Sequence, residues 1–142
     1  MDESKQRSKN LYEVIPVETK LEGGFPDIVV IQKQTGQVAL SELKNINHSD
    51  NNLKLRKNQP LFLRRWAALC PGVTRAWVVA RICHEKVPSG IYMWYATPSY
   101  EWVTMIKGPL VESVKHTTVF FPEERSMPWN KILENLFPSK IS

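Results

Sequence analysis

A pair of apolar, β-branched runs joined by a short turn is the feature that most constrains how this chain can fold. The first run, DIVVI, covers residues 27–31, and the second, VALSELK, covers residues 38–44. Between them stands QKQTGQ, in which Gly36 can adopt the positive φ that a tight turn needs. The pattern predicts a β-hairpin with one strand on either side of the turn.

The second strand of this hairpin carries charged residues where a strand that only packs would be apolar. Because side chains alternate across a strand, Glu42 and Lys44 share one face, with about 6 to 7 Å between their Cα atoms. Asp27 begins the first strand, and antiparallel pairing brings that start beside the end of the partner strand. Pro26 cannot donate to the ladder, so it frees Asp27 to turn out of it. The alternative is a solvent-facing strand whose charges meet only water.

Two carboxylates and an amine gathered at one strand end suit a metal-dependent hydrolase. Carboxylate oxygens are the ligands that Mg²⁺ and Mn²⁺ prefer in proteins. Such an ion polarises a phosphate and activates water, and a lysine beside it can orient the water or offset developing negative charge. These side chains therefore predict a divalent-metal site at one end of the hairpin.

A helix is predicted directly after the hairpin, within residues 53–70. Apolar residues and one glutamine recur at steps of three and four, which is typical of a single helix face. That face consists of Leu55, Gln59, Phe62, Trp66 and Leu69. Pro60 suits the first turn of such a helix, and Pro71 and Gly72 predict its end. Since an unpaired amide on an apolar face is costly, we expect Gln59 to bind a polar partner there.

The remaining segments complete a mixed pattern of strands and helices. Residues 11–24 predict a short helix or turn and then an extended approach to Gly23, and residues 1–10 are predicted to be disordered. Strands are predicted at 74–82 and 91–96, with a turn at 86–90 between them, and weaker strand signals stand at 101–106 and 117–121. A short amphipathic helix is predicted at 127–137. The order predicts one α/β domain, residues 1–142, with a central mixed sheet flanked by helices.

The charge balance favours a polyanionic partner. The chain has 142 residues and a formal net charge of +5. Basic residues cluster on or just before the predicted helix, and they are Lys54, Arg56, Lys57, Arg64 and Arg65. Phosphate contacts of DNA are the usual role of such residues, although a solvated helix face is the alternative. Without a signal peptide or an apolar run long enough for a membrane span, we expect an intracellular, soluble protein with no membrane partner, in the host cytoplasm if it is viral.

The motif residues resemble the PD-(D/E)XK nuclease superfamily, and within it small phage-type and VRR-NUC-like nucleases. Pro26-Asp27 matches the PD element and Glu42-Leu43-Lys44 matches the (D/E)XK element, and the similarity extends over residues 14–82. The resemblance implies a restriction-endonuclease-like core. It also implies that Asp27 and Glu42 bind Mg²⁺ or Mn²⁺ with the Leu43 carbonyl, and that Lys44 assists the attacking water.

The resemblance implies two further site residues. Glu18 would be the upstream acid, as a metal ligand or a base, and Glu13 and Glu22 are alternatives for that role. Gln59 would face the site from the helix and position water, lysine or phosphate. A backbone bond near the start of its own helix is the alternative partner for Gln59.

These features together predict a metal-dependent DNA endonuclease. A domain this small offers little surface for reading sequence, so we expect it to select branched DNA, as Holliday-junction resolvases do, and a homodimer would suit symmetric cutting. One alternative is a non-catalytic DNA-binding or assembly protein on the same scaffold. Another is a sequence-specific nuclease of the restriction type, for which residues 97–125 would have to supply the recognition element.

Overall fold

The predicted hairpin forms the first part of a larger sheet. A computed structural model describes residues 11–17, 25–70, 73–122 and 128–138. Strands β2 (Ile28–Gln32) and β3 (Val38–Ile46) pair antiparallel, with Ile28 opposite Ser41. Gly36 takes a φ of 73° in the turn between them, as the sequence predicts. The predictions for residues 1–10 and for Pro71 and Gly72 lie outside the described residues.

Six strands form one mixed sheet in the order of the chain. The other four are β1 (Tyr12–Pro16), β4 (Thr74–His84), β5 (Val87–Tyr95) and β6 (Val119–Pro122). Neighbouring strands in the chain are neighbours in the sheet, and every pair is antiparallel except β3 and β4. A parallel pair needs a crossover, which helix α1 (Gln59–Leu69) supplies. The α/β class and the mixed sheet are thus confirmed.

Helices cover both faces of the sheet. Besides α1, the described residues form α2 (Tyr100–Lys107), α3 (Leu110–Ser113), a 3₁₀ turn (Val114–His116) and α4 (Trp129–Leu136). Helices α1, α2 and α3 enclose one core with alternate residues of β3, β4 and β5, which include Leu40, Val78, Ala80, Ile82 and Trp94. Helix α4 encloses the second core on the opposite face, whose strand residues include Val30, Ala39, Trp77, Val79 and Met93. No helix among the described residues is long and apolar enough to span a membrane.

The prediction of a strand at residues 101–106 is wrong, because this segment is the middle of α2. Ser99 caps the helix: its hydroxyl oxygen accepts a hydrogen bond from the backbone N–H of Glu101, with 3.0 Å between the two atoms. Trp102, Val103 and Ile106 follow at helical spacing and are buried. The β-prone composition of the segment concealed these helix signals.

The predictions for two other short segments also need correction. Residues 12–16 form an edge strand rather than a helix or turn, and Pro16 is tolerated there because it ends the strand at the sheet edge. The turn after β4 is shorter than predicted, at Glu85 and Lys86, so that residues 87–90 already belong to β5. Gly90 lies against β6, where a side chain would collide with the backbone carbonyl of Phe121.

Candidate functional site

Glu42 is a buried carboxylate in the middle of the sheet. It lies on the β3 face that α1 covers, and only 2% of its side chain is exposed. Lys44 lies on the same face, with its Nζ 3.5 Å from Oε1 of Glu42. The predicted shared face is therefore confirmed, and the alternative of a solvated strand face is wrong for Glu42. Burial of a carboxylate is costly without compensating partners, which makes its neighbours informative.

Asp27 is bound to the residues on either side of Glu42. Its backbone N–H donates to the Ser41 carbonyl over 3.1 Å, and its Oδ2 accepts the Leu43 N–H over 2.8 Å. The hairpin thus brings the second acid beside the first, as its register predicts. Asp27 stands directly before β2. Its side chain accepts the Leu43 N–H, which in a continuous antiparallel pair would donate to a backbone carbonyl of the neighbouring strand.

Gln59 completes the surroundings of Glu42 from the first turn of α1. Its Nε2 donates to Oε1 of Glu42 over 2.8 Å, and its Oε1 accepts the backbone N–H of Arg56 over 2.7 Å. Only 2% of Gln59 is exposed. Pro60 follows in the first turn of α1, where its missing N–H costs no helix bond. Gln59 thus faces Glu42, as expected, and it also forms the backbone bond near the start of its helix that was the alternative, so that both ends of its amide have partners.

The face of α1 that packs against the sheet differs from the face that the sequence predicts to be buried. The residues of α1 that are fully buried are Gln59, Pro60, Leu63 and Ala67. Phe62 and Trp66 are only partly buried at the edge of the core, and Leu69 is 64% exposed. The predicted apolar stripe is therefore the flank of α1 rather than its centre.

The donor set fits a divalent ion. The N–H of Leu43 is directed at Asp27, and the N–H and C=O of one strand residue point to the same edge, so the Leu43 carbonyl faces that side too. Asp27, Glu42 and this carbonyl offer hard oxygen atoms of the kind that Mg²⁺ prefers. Within the described ranges, no three or more His, Cys, Asp or Glu residues lie close enough together to hold a metal ion, either at this site or at another. Mg²⁺ sites commonly use one or two carboxylates and take the remaining ligands from phosphate and water.

Of the three candidates for the upstream acid, the structure describes only Glu13. Glu18 and Glu22 lie outside the described residues. Glu13 stands in β1, where its exposed carboxylate lies 3.8 Å from Nζ of Lys33 on the neighbouring strand. Glu13 therefore forms a surface ion pair, and its role as the upstream acid stays a prediction.

The predicted DNA-binding residues divide into two groups. Arg56, Lys57 and Arg65 are exposed. Lys54 instead forms an ion pair with Asp50. Arg64 donates to the Pro98 carbonyl over 2.9 Å and to the Tyr100 hydroxyl over 3.0 Å, and its guanidinium lies 3.9 Å from the centre of the Tyr100 ring. The residues of the first group are exposed to solvent, whereas Lys54 and Arg64 bind partners within the protein.

Asp50 is a site-supporting residue that the sequence did not single out. It is buried in the loop between β3 and α1, and its Oδ2 accepts the backbone N–H of Asn47 over 2.9 Å. The Lys54 ammonium, followed by this backbone N–H, lowers the pKa of Asp50 below its ordinary value. Asp50 therefore fixes the loop that carries Arg56. Its only sequence signal is a place among turn-forming residues, which does not reveal burial.

Phe25 is a second residue that the sequence did not single out. Its ring centre lies 5.1 Å from that of Phe62 in α1. This contact joins the segment before Asp27 to the flank of the helix.

Comparisons with protein-family models, with curated proteins and with solved structures found no match to this chain. A functional assignment therefore depends on the geometry of these residues.

Proposed function

We propose that this protein is a metal-dependent DNA endonuclease that hydrolyses phosphodiester bonds in branched DNA. The observation that carries the proposal is the arrangement of Asp27, Glu42 and Lys44. Asp27, directly before β2, is hydrogen-bonded to the backbone of Leu43, the residue next to Glu42 in β3, and the Lys44 ammonium lies 3.5 Å from the buried Glu42 carboxylate. The order β2, β3, α1, β4, with β4 parallel to β3, supports the restriction-endonuclease-like core that the motif resemblance implies.

Asp27, Glu42 and the Leu43 carbonyl would hold the ion at the end of the hairpin. When bound, Mg²⁺ or Mn²⁺ would supply Lewis acidity toward the phosphate and lower the pKa of a water molecule. The bond from the Leu43 N–H to Oδ2 of Asp27 would hold the carboxylate in position for this role. The rigid strands on both sides keep the acids in place without further adjustment.

Lys44 and Gln59 act around the buried acid. The Lys44 ammonium can donate to an attacking water or to a phosphate oxygen whose charge increases in the transition state. Its ion pair with Glu42 holds it at that position before substrate arrives. Gln59 orients the Glu42 carboxylate and accepts the backbone N–H of Arg56, which ties the exposed residues Arg56 and Lys57 to the start of α1. These two cations would bind phosphates that flank the scissile one.

A second candidate function is that of a non-catalytic DNA-binding protein. Both Gln59 and Lys44 bind the same oxygen of Glu42, an arrangement that would also neutralise a purely structural buried carboxylate. The basic residues at the start of α1 would then bind DNA without cutting it. Only an activity measurement separates this candidate from the first.

The deciding experiment is a cleavage assay on four-way, flap, nicked, single-stranded and linear duplex DNA, with Mg²⁺ and with chelator. We expect Mg²⁺-dependent cutting, fastest on the branched substrates. Asp27→Asn and Lys44→Ala should remove cutting while DNA binding persists. Lys33→Ala is the matched control, because Lys33 also pairs with a strand glutamate, at an exposed position. Cutting by both site variants at the rate of the control would contradict the assignment, and DNA binding without any cutting would favour the second candidate.

A homodimer is a further part of the proposal. Two copies would place two such sites on one junction and allow symmetric cutting. Sedimentation of the protein with and without a four-way junction tests this part separately.

A further inference from the structure

One flank of α1 forms an open groove of aromatic, apolar and basic side chains. Its volume is about 450 Å³, and its lining residues are Phe62, Arg64, Arg65, Trp66, Ala68 and Leu69. This volume falls within the range of about 300–1,000 Å³ that ligand sites occupy. Leu69 is 64% exposed although it is a large apolar residue, and Phe62 and Trp66 are only partly buried. The groove therefore presents apolar surface that the described part of the core leaves uncovered.

The groove begins beside the proposed metal site. Phe62 and Trp66 follow Gln59 by three and seven residues, so all three lie along one side of α1. At a rise of about 1.5 Å per residue, Trp66 stands roughly 10 Å along the helix axis from Gln59. Phe25 packs on Phe62 and precedes Asp27 by two residues. Aromatic side chains thus extend from the segment before Asp27 to the groove.

The charges around the groove select an anionic occupant. Residues 53–70 include five basic residues and no acidic ones. Arg65 is exposed at the groove, and Arg64 is held beside it by Pro98 and Tyr100. Aromatic and apolar surface next to an exposed arginine, here Arg65, is the combination that binds single-stranded nucleic acid, in which bases stack on rings and phosphates contact arginine. A neutral apolar partner would gain nothing from these charges.

We propose that this groove on α1 binds unpaired nucleotides of the DNA substrate next to the scissile phosphate. The inference rests on the proposed nuclease function and adds to it the feature of the substrate that the protein selects. A branch or flap exposes unpaired bases at its junction, whereas an intact duplex keeps its bases stacked and out of reach of Trp66. The groove would then favour branched over linear DNA without any contact that depends on sequence.

The test is a binding measurement in chelator, so that no substrate is cut. Fluorescence anisotropy compares a hairpin DNA that carries a single-stranded tail with the same hairpin made blunt. We expect Trp66→Ala to weaken binding of the tailed DNA by roughly 5- to 150-fold, the effect of losing one stacked base. Binding of the blunt hairpin should change by less than about twofold. Phe120→Ala, which removes a partly exposed ring on the opposite edge of the sheet, is the matched control.

A second variant guards against loss of folding, because Trp66 also packs against the core. Leu69→Glu alters an exposed position and should lower the preference for tailed over blunt DNA. Val111→Glu introduces the same charge at another exposed apolar position, on α3, and should leave that preference unchanged. If Trp66→Ala and Leu69→Glu both fold and keep the preference of the wild-type protein, the groove does not bind unpaired nucleotides.

Failure of this inference differs from failure of the nuclease proposal. A protein that cuts branched DNA equally well with either groove variant would retain its nuclease function and lose the groove. If the wild-type protein cuts none of the substrates but Trp66→Ala weakens binding of the tailed DNA, the groove proposal is supported and the nuclease proposal is contradicted.

Discussion

The side-chain amide of Gln59 connects the buried carboxylate of Glu42 to the loop that precedes α1. One end of the amide donates to Glu42 over 2.8 Å, and the other accepts the backbone N–H of Arg56 over 2.7 Å. The contact with Glu42 is buried and the contact with Arg56 is partly buried, so loss of the amide would leave the carboxylate in particular without a compensating donor. The position of the basic loop is in this way tied to the position of the candidate catalytic acid.

Replacement of Gln59 by leucine should lower stability measurably. The change keeps a side chain of similar size but removes a hydrogen bond to a buried carboxylate and an acceptor for a backbone N–H. We expect the free energy of unfolding to fall by about 1.5–3 kcal/mol, the range for hydrogen bonds to charged groups. Urea denaturation followed by circular dichroism measures the difference.

Gln34→Leu is the control for this change, because Gln34 is exposed in the hairpin turn and should tolerate leucine within about 0.5 kcal/mol. A double-mutant cycle with Glu42→Leu then isolates the contact between the two side chains. Equal stability of the two leucine variants would mean that the Gln59 amide contributes nothing to the fold.

The charge on Asp50 should make the stability of the loop depend on pH. Contact with Lys54 and with the Asn47 N–H lowers the pKa of Asp50 in the folded protein below the ordinary value of 3.8. The ionised form therefore stabilises the fold above pH 3.8, and this contribution is lost as the pH falls below that value toward the folded-state pKa. Asp50→Asn keeps an acceptor for the Asn47 N–H and removes only the charge.

We accordingly expect Asp50→Asn to be less stable than the wild-type protein near neutral pH, with the difference shrinking below pH 3.8. Urea denaturation at several pH values measures it. Glu112→Gln is the control, because Glu112 forms an exposed ion pair with Lys115 and should matter little at any pH. A stability difference for Asp50→Asn that stays constant through the acid range would contradict the linkage.

Among the glycines in the described part of the chain, Gly90 should be the least able to accept a side chain. A Cβ there would meet backbone atoms of Phe121 in β6, whereas at Gly36 no atom lies within 4 Å. Gly36→Ala should cost about 1–2 kcal/mol, which is the strain of the left-handed conformation alone. Gly90→Ala should cost about 1–3 kcal/mol more, because the strand pair must also shift to relieve the collision. Thermal denaturation of both variants compares them, and equal midpoints would show that β6 yields without cost.

The sequence predicted the hairpin because its information is local. Alternating side chains, a turn with Gly36 and charges two residues apart on one strand determine which residues share a face. The meeting of Asp27 with the backbone of Leu43 follows from that pairing alone. The spacing predicts only that Gln59 has a polar partner, and the motif resemblance implies that it faces the site. The bond to Glu42 itself could not be predicted, since residues 17 apart in the chain meet through tertiary packing.

The predictions failed where composition and local geometry disagree. Residues 101–106 have the composition of a strand, but the cap at Ser99 and the spacing of the buried residues favour a helix, and packing against the sheet decides the outcome. The engagement of Lys54 and Arg64 within the protein could not be predicted either. Nothing in a run of basic residues distinguishes a cation that binds an internal partner from one that remains available to phosphate.

Binding of a divalent ion at Asp27 and Glu42 should raise the melting temperature in the absence of DNA. An ion that binds only the folded protein stabilises it by about 2.7 kcal/mol at one hundred times its dissociation constant, which corresponds to several degrees for a domain of this size. We expect titration with Mn²⁺ to raise the midpoint of the wild-type protein. Asp27→Asn should show no such rise, because asparagine can still accept the Leu43 N–H but lacks the charge that attracts the ion.

Glu13→Gln is the control: it removes an exposed carboxylate on the neighbouring edge strand and should respond to Mn²⁺ as the wild-type protein does. Comparing the shift within each variant, rather than the midpoints themselves, separates ion binding from any change in intrinsic stability. An equal shift in Asp27→Asn would place the ion elsewhere and leave Glu42 as a structural carboxylate that is paired with Lys44 and hydrogen-bonded to Gln59.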